Sequence, residues 1–277
     1  MIYISTCCLK GDNSRYKKSI FDVLDVYQKL GINNIELGAG HSHEPDLSPI
    51  FKLRKHGFNF IIHGFFPTPK QGFLMNISSQ TEILQKTINL AKNSIEFCRK
   101  IDSTLYGIHM GYLAEMTADA EKILSPLTTY KKAIATAIET TTLICEYAKD
   151  YGVNIAVENM PYVNKATILN KYREFDDLFK AVKMKNLGLL LDIGHLTKAS
   201  DALAIDKENF IKKFKNKIIE MHSHEVVDGI DHQPVNSSTL SDFDKSFLKK
   251  IAVTLESHLL SPEQIIHCKR ILENSCS

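Results

Sequence analysis

Acids and histidines recur in this chain at the ends of short apolar runs. Glu158 closes Asn-Ile-Ala-Val-Glu, Asp192 closes Gly-Leu-Leu-Leu-Asp, His222 closes Ile-Ile-Glu-Met-His and Glu256 closes Ala-Val-Thr-Leu-Glu. An ionised carboxylate in such a place has no polar neighbour in sequence, and its burial is costly unless it is paired or metal-bound. Three hard oxygen donors with one imidazole suit Zn²⁺, Mn²⁺, Mg²⁺ or Co²⁺ better than a soft metal. The competing reading is a hydrogen-bonded polar layer that closes the fold without an ion. Of the eleven histidines, nine stand at the end of such a run or in the loop after it: His41, His43, His63, His109, His195, His222, His224, His232 and His258.

The elements that must position these groups are strand-type runs at 2–7, 34–37, 59–63, 105–109, 154–158, 188–192, 218–222 and 252–256. They alternate with amphipathic stretches at 17–30, 47–56, 81–100, 128–151, 175–183, 207–214, 242–250 and 262–274, whose apolar residues repeat at three- and four-residue spacing. Asp12-Asn13-Ser14 precede the first helix, Gly31 and Gly152 follow helix ends, and Ser261-Pro262 opens the last, as caps require. Eight alternating strand and helix units predict an α/β fold, a single (β/α)8 barrel forming one domain over 1–277. In such a barrel the loops after the strands surround one mouth, where reactive groups gather.

The 277 residues, 44% of them hydrophobic and 24% charged, match the ~250 that such a barrel needs and exclude a disordered or fibrous chain. Six cysteines without a C-x-x-C pair disfavour a thiolate zinc site, a redox motif or a disulfide scaffold. A net charge of +2 with only five arginines gives little electrostatic footprint for nucleic acid. No apolar run reaches membrane length and Met1 leads straight into a strand-like segment, so a cytoplasmic protein with no membrane partner and no signal peptide is expected.

Taken in order, His63, His109, the Val-Glu-Asn ending in Asn159, the Leu-Asp-Ile-Gly-His of 191–195, His222 and the Leu-Glu of 255–256 resemble the xylose isomerase-like TIM barrels. That superfamily holds sugar and sugar-phosphate isomerases and epimerases, inosose dehydratases and the endonuclease IV class of nucleases. The resemblance covers essentially the whole chain. It implies a shared metal site at Glu158, Asp192, His222 and Glu256. It also implies Glu158 and Glu256 as the carboxylates that move a proton beside a metal-polarised carbonyl, and His195 as a hydrogen-bond partner of a substrate oxygen. Asn159, His224 and Lys70 are candidate substrate contacts.

The nuclease branch implies up to three zinc ions, the further ligands being His63, His109, His195 and His232. Two departures bear on the choice of branch. Epimerases of this group carry an arginine shortly after the His of strand seven, where this chain reads Ser-His-Glu-Val-Val-Asp. The nuclease's Asp-x-His pair is replaced by adjacent Asp231 and His232, which on extended chain point to opposite sides; Asp228 is an alternative donor. The phenylalanine-rich stretch 63–79 could be a lid over a small substrate, a wedge for nucleic acid, or a loop packed on itself. The sequence therefore favours a small carbohydrate substrate and one divalent ion, with an abasic-site phosphodiesterase as the second reading.

Overall fold

The computed structural model describes residues 1–10, 19–109, 111–117, 120 and 122–277. Its strands are β1 (Ile2–Ser5), β2 (Asn34–Leu37), β3 (Asn59–His63), β4 (Leu105–Ile108), β5 (Asn154–Glu158), β6 (Leu187–Asp192), β7 (Ile218–Ser223), β8 (Glu225–Val227), β9 (Ile230–Gln233) and β10 (Ala252–Leu255). Eight of them close a barrel in the order β1-β10-β7-β6-β5-β4-β3-β2, while β8 and β9 form a separate antiparallel hairpin. The fold is thus a single (β/α)8 TIM barrel. Among the described residues no helix is long and apolar enough to cross a membrane.

The helices are α1 (Ile20–Lys29), α2 (Ser48–Lys55), α3 (Glu82–Lys100), α4 (Tyr130–Asp150), α5 (Tyr172–Ala181), α6 (Ile193–Leu203), α7 (Lys207–Phe214), α8 (Lys245–Leu248) and α9 (Pro262–Cys276). The expected cap at Asp12-Asn13-Ser14 lies outside the described residues; Ser19 Oγ accepts the Phe21 N–H and opens α1 at Ile20. The helix expected over 242–250 shrinks to Lys245–Leu248, because Asp244 is still extended and Phe243 N–H closes a turn on Leu240 O. Two elements run beyond the sequence reading: α6, which starts directly at the end of β6, and the β8–β9 hairpin.

The main core lies between the outer faces of the strands and the helices. A smaller apolar plug of Ile61, Leu105, Ala156 and Leu190 fills the barrel interior. From that plug upward the interior turns polar in layers set by strand register. Parallel pairing puts Glu220 level with Leu190 and Ala252, and one step higher His222 level with Asp192 and Thr254. Side chains two residues apart on a strand share a face, so Glu220 and His222 both point inward. Gly107 makes room for this stack: a Cβ there would come within 2.7 Å of His63 Nδ1 and 2.8 Å of Leu190 Cδ1.

Candidate metal centre

Strand register brings Glu158, Asp192, His222 and Glu256 together, with one donor atom from each within 4.8 Å of the others. All four are buried. His222 Nδ1 stands 2.7 Å from Glu256 Oε2 and 3.9 Å from Asp192 Oδ2. His222 Nδ1 and both Glu158 oxygens are buried without a partner in hydrogen-bond geometry. Lone pairs that converge this closely, without the angles of hydrogen bonds, describe a cradle for a cation, and the donor set fits a hard or borderline divalent ion.

On the far side of Glu158 the structure brings together His63 and His109. Their Nε2 atoms face one another at 2.9 Å, and lie 3.4 Å and 3.1 Å from Glu158 Oε2. Two imidazole nitrogens set head to head can share at most one proton, so this trio could take a second ion with Glu158 as the bridging carboxylate.

His195 enters from the first turn of α6. That helix begins where it does because Asp192 caps it: Asp192 Oδ1 accepts the His195 backbone N–H at 2.6 Å. The imidazole Nδ1 of His195 then lies 2.9 Å from Glu158 Oε1. His224 accepts the His232 backbone N–H at its Nδ1 (2.9 Å), which leaves Nε2–H to donate to Asp192 Oδ2 at 3.0 Å. Gly194 permits this approach, since a Cβ there would sit 2.0 Å from His224 Cε1. Asn159 is engaged on both sides of its amide, donating to Asp192 O and accepting from Asp192 N–H, each at 2.8 Å. His224 and Asn159 therefore hold Asp192 in place, where the sequence reading had them touching substrate.

His232 lines the cavity with its Nδ1 3.0 Å from the Glu256 carbonyl. Its neighbour Asp231 pairs instead with Lys198 Nζ at 3.1 Å, and Asp228 sits at the exposed turn of the hairpin. Neither Asp231 nor Asp228 thus joins His232 in the manner of an Asp-x-His pair.

The charge balance follows from this packing. Burial opposes ionisation of Glu158, but His109, His195 and His63 outweigh it and hold its carboxyl well below the usual range. Glu256 is held low in the same way, chiefly by His222. Burial works against a charged His195, yet Asp192 and Glu158 carry its pKa up to about 9. Burial and the nearby His224 push His232 down to about 4.

Three residues that the sequence reading had not connected to the site, Glu36, Glu220 and Cys7, belong to it, as does His258, which it counted among the mouth histidines without a role. Glu36 Oε2 lies 2.8 Å from His222 Nε2. Glu220, with both oxygens unpartnered, is held well above the usual carboxyl range by burial and by the charge of Glu36. Cys7 and His258 stand beside Glu256. The signal for Glu36 and Glu220 was an acid inside an otherwise apolar strand.

Above these groups opens a cavity of about 440 Å³, within the range of small-molecule sites. Its floor carries His63, His109, Glu158, His195 and Glu256, and its wall is apolar, with Phe65, Phe73 and Met160. Lys70 is exposed and does not line it. The stretch 63–79 divides its duties. Phe65 packs edge-on against His109 and Phe73, forming wall. The buried Asn76 donates to the Tyr112 and Ala114 carbonyls and accepts the Tyr112 N–H, pinning the loop after β4.

A sequence profile of the xylose isomerase-like TIM barrels matches residues 24–249. The chain belongs to that family. Two proteins of Methanocaldococcus jannaschii, both described only as uncharacterised, are similar to this chain. MJ1311 is 29% identical over 194 residues, 68% of this chain, and MJ1614 is 28% identical over 213 residues, 75% of this chain. The matched region spans 59% of the length of the first and 72% of the second. Among solved structures, a D-tagatose 3-epimerase-like protein superposes with a TM-score of 0.75 at 20% identity, covering 99% of this chain and 96% of the other. An L-ribulose 3-epimerase gives 0.69 at 14% identity, covering 99% and 94%. The IolI protein with a bound zinc atom gives 0.67 at 16%, covering 100% and 98%. At such identities the likeness is one of fold.

Proposed function

We propose that this xylose isomerase-like barrel, one domain over 1–277, is a divalent-metal-dependent sugar or sugar-phosphate isomerase or epimerase. The observation that carries the reading is the buried Glu158–Asp192–His222–Glu256 cluster, whose Glu158 and Glu256 reach the floor of a cavity of about 440 Å³. An ion held by these four residues supplies Lewis-acid polarisation of the substrate carbonyl and hydroxyl. The names of the epimerase structures that share the fold, and the zinc bound in the IolI structure, support the same reading.

The proton chemistry falls to Glu158 and Glu256. Both are buried and held ionised by neighbouring imidazoles, the state a base needs before it takes a proton from carbon. They rise from β5 and just after β10, with β6 and β7 between them around the ring. One carboxylate can remove the proton on one side of a flat intermediate while the other returns a proton on the opposite side, which inverts the carbon. His195, carrying a positive charge beside Glu158, donates to a substrate oxygen as charge develops there. Phe65, Phe73 and Met160 exclude water from the reacting face. The test is incubation of the metal-loaded protein with free ketopentoses and ketohexoses and their phosphates, followed by chromatography. Conversion of a ketose to its epimer or to an aldose is expected; no conversion of any member with Zn²⁺, Mn²⁺, Mg²⁺ or Co²⁺ would remove the reading.

The trio His63, His109 and Glu158 favours a second reading, a zinc-dependent phosphodiesterase acting on abasic DNA, since two adjoining ions suit an in-line displacement at phosphorus. Asp231 is turned to Lys198, which weighs against it. Metal-dependent nicking of an abasic duplex, weakening steeply with salt, would reverse the order of the two readings.

A further inference from the structure

The geometry points to a second kind of metal site in this barrel, one that contains a thiolate: Cys7, His258 and Glu256. It goes beyond the proton-transfer reading and stands apart from the Glu158–Asp192–His222–Glu256 cluster, with which it shares only Glu256.

Cys7 follows β1 and His258 follows β10, strands that pair in parallel through Ile4 and Leu255. The pairing resumes past the strand ends, where Leu9 bridges Leu260, Leu260 N–H donates to Cys8 O and Lys10 N–H donates to Leu260 O. Both stretches keep one register, and between them Cys7, in the turn closed by Cys8 N–H on Ser5 O, and His258 are held over the same strand ends. The His258 ring stacks on His232 at 3.8 Å with 13° between planes, and its backbone N–H donates to His232 O at 2.8 Å, so its position is held from two directions.

One donor atom each from Cys7, His258 and Glu256 lies within 4.8 Å of the others. An ion with a ~2.3 Å bond to sulfur and ~2.0–2.2 Å bonds to nitrogen and oxygen would draw such donors to about 3.4–3.7 Å of one another, a closure of at most ~1.4 Å from that limit. Sulfur, nitrogen and oxygen together select Zn²⁺ or Co²⁺ and reject Mg²⁺ and Ca²⁺, whose ligands are oxygens. All three residues line the main cavity. Three protein ligands with an open fourth position facing a cavity is the arrangement of an accessible zinc site, not of a closed structural one. Glu256, 2.7 Å from His222 Nδ1, would link this ion to the central one as a bridging carboxylate.

Cobalt supplies the test, because a thiolate bound to Co²⁺ gives a near-ultraviolet charge-transfer band that oxygen and nitrogen ligands do not. Titrating the metal-free full chain with Co²⁺ should produce that band. In Cys7→Ser the band should vanish and the Co²⁺ count should fall by about one per chain, the visible bands of the remaining ion persisting. His258→Ala should lose the band too, and Cys8→Ser should keep it. Asp192→Ala separates the two sites: it should lose the central ion and retain the band. Absence of the band at Co²⁺ saturation of the wild type, or its survival in Cys7→Ser, overturns the site while leaving the central cluster untouched.

Discussion

The Nε2 atom of His222 lies 2.8 Å from Oε2 of Glu36, and both side chains are fully buried. Burial opposes a charge on Glu36, but the neighbouring His222 holds its carboxyl below the usual range, so Glu36 accepts and the Nε2–H of His222 donates. With an ion in the cluster, that bond would select the tautomer whose Nδ1 lone pair faces Asp192 and Glu256. A carboxylate behind a metal-binding imidazole fixes its orientation and raises its basicity. Glu36→Gln should therefore weaken affinity for the central ion by ~10–100-fold, the usual cost of losing such a partner. Competition with a metal-buffering chelator measures it, and unchanged affinity would show that Glu36 only fills space.

Glu36 also shows where the sequence stops being legible. Glu158, Asp192 and Glu256 announce themselves because each ends an apolar run at the mouth of the barrel, and the barrel follows from the alternation of runs alone. Glu36 and Glu220 lie inside their runs, where an acid reads as strand solvent-face until the closed barrel puts it indoors. Their partner His222 is 186 residues from Glu36 in sequence, and only closure of β2 and β7 around one interior brings them together.

Local signals were available for other elements. Asp192 stands three residues before His195, the spacing of a helix cap, yet the sequence reading placed no helix between 192 and 207. Gly194 is needed for the approach of His224, which no local rule contains. Val-Val-Asp-Gly-Ile over 226–230 carries the turn dipeptide of a hairpin, and β8 and β9 form there.

Asp192 carries three duties, and two substitutions separate them. Asp192→Ala removes a metal donor, the cap of α6 and the acceptor for His224. It should abolish binding of the central ion and activity, and cost roughly 0.5–2 kcal/mol of stability, the range for a lost cap. Asp192→Asn keeps an oxygen for the cap, so it should lose the central ion and activity with a smaller fall in melting temperature. Equal melting temperatures for the two variants would contradict the capping role.

His63 and His109 meet at Glu158. A His63→Ala, His109→Ala double variant should lose an ion held between those two imidazoles and Glu158, and activity should fall because Glu158 loses two of the imidazoles that hold it ionised. Unchanged metal content together with unchanged activity would sink this part of the account.

The central claim is that Glu158 and Glu256 exchange a proton with substrate carbon, and Glu256→Gln tests it most directly. Wild-type protein, loaded with metal and given a ketose that it converts, should wash deuterium from D₂O into the carbon beside the carbonyl or transfer the proton internally. Glu256→Gln keeps the shape and removes the basicity, so at equal metal occupancy, verified by elemental analysis, it should slow that transfer by ~10²–10⁴-fold. Conversion at the wild-type rate by a fully metal-loaded Glu256→Gln variant would contradict the account.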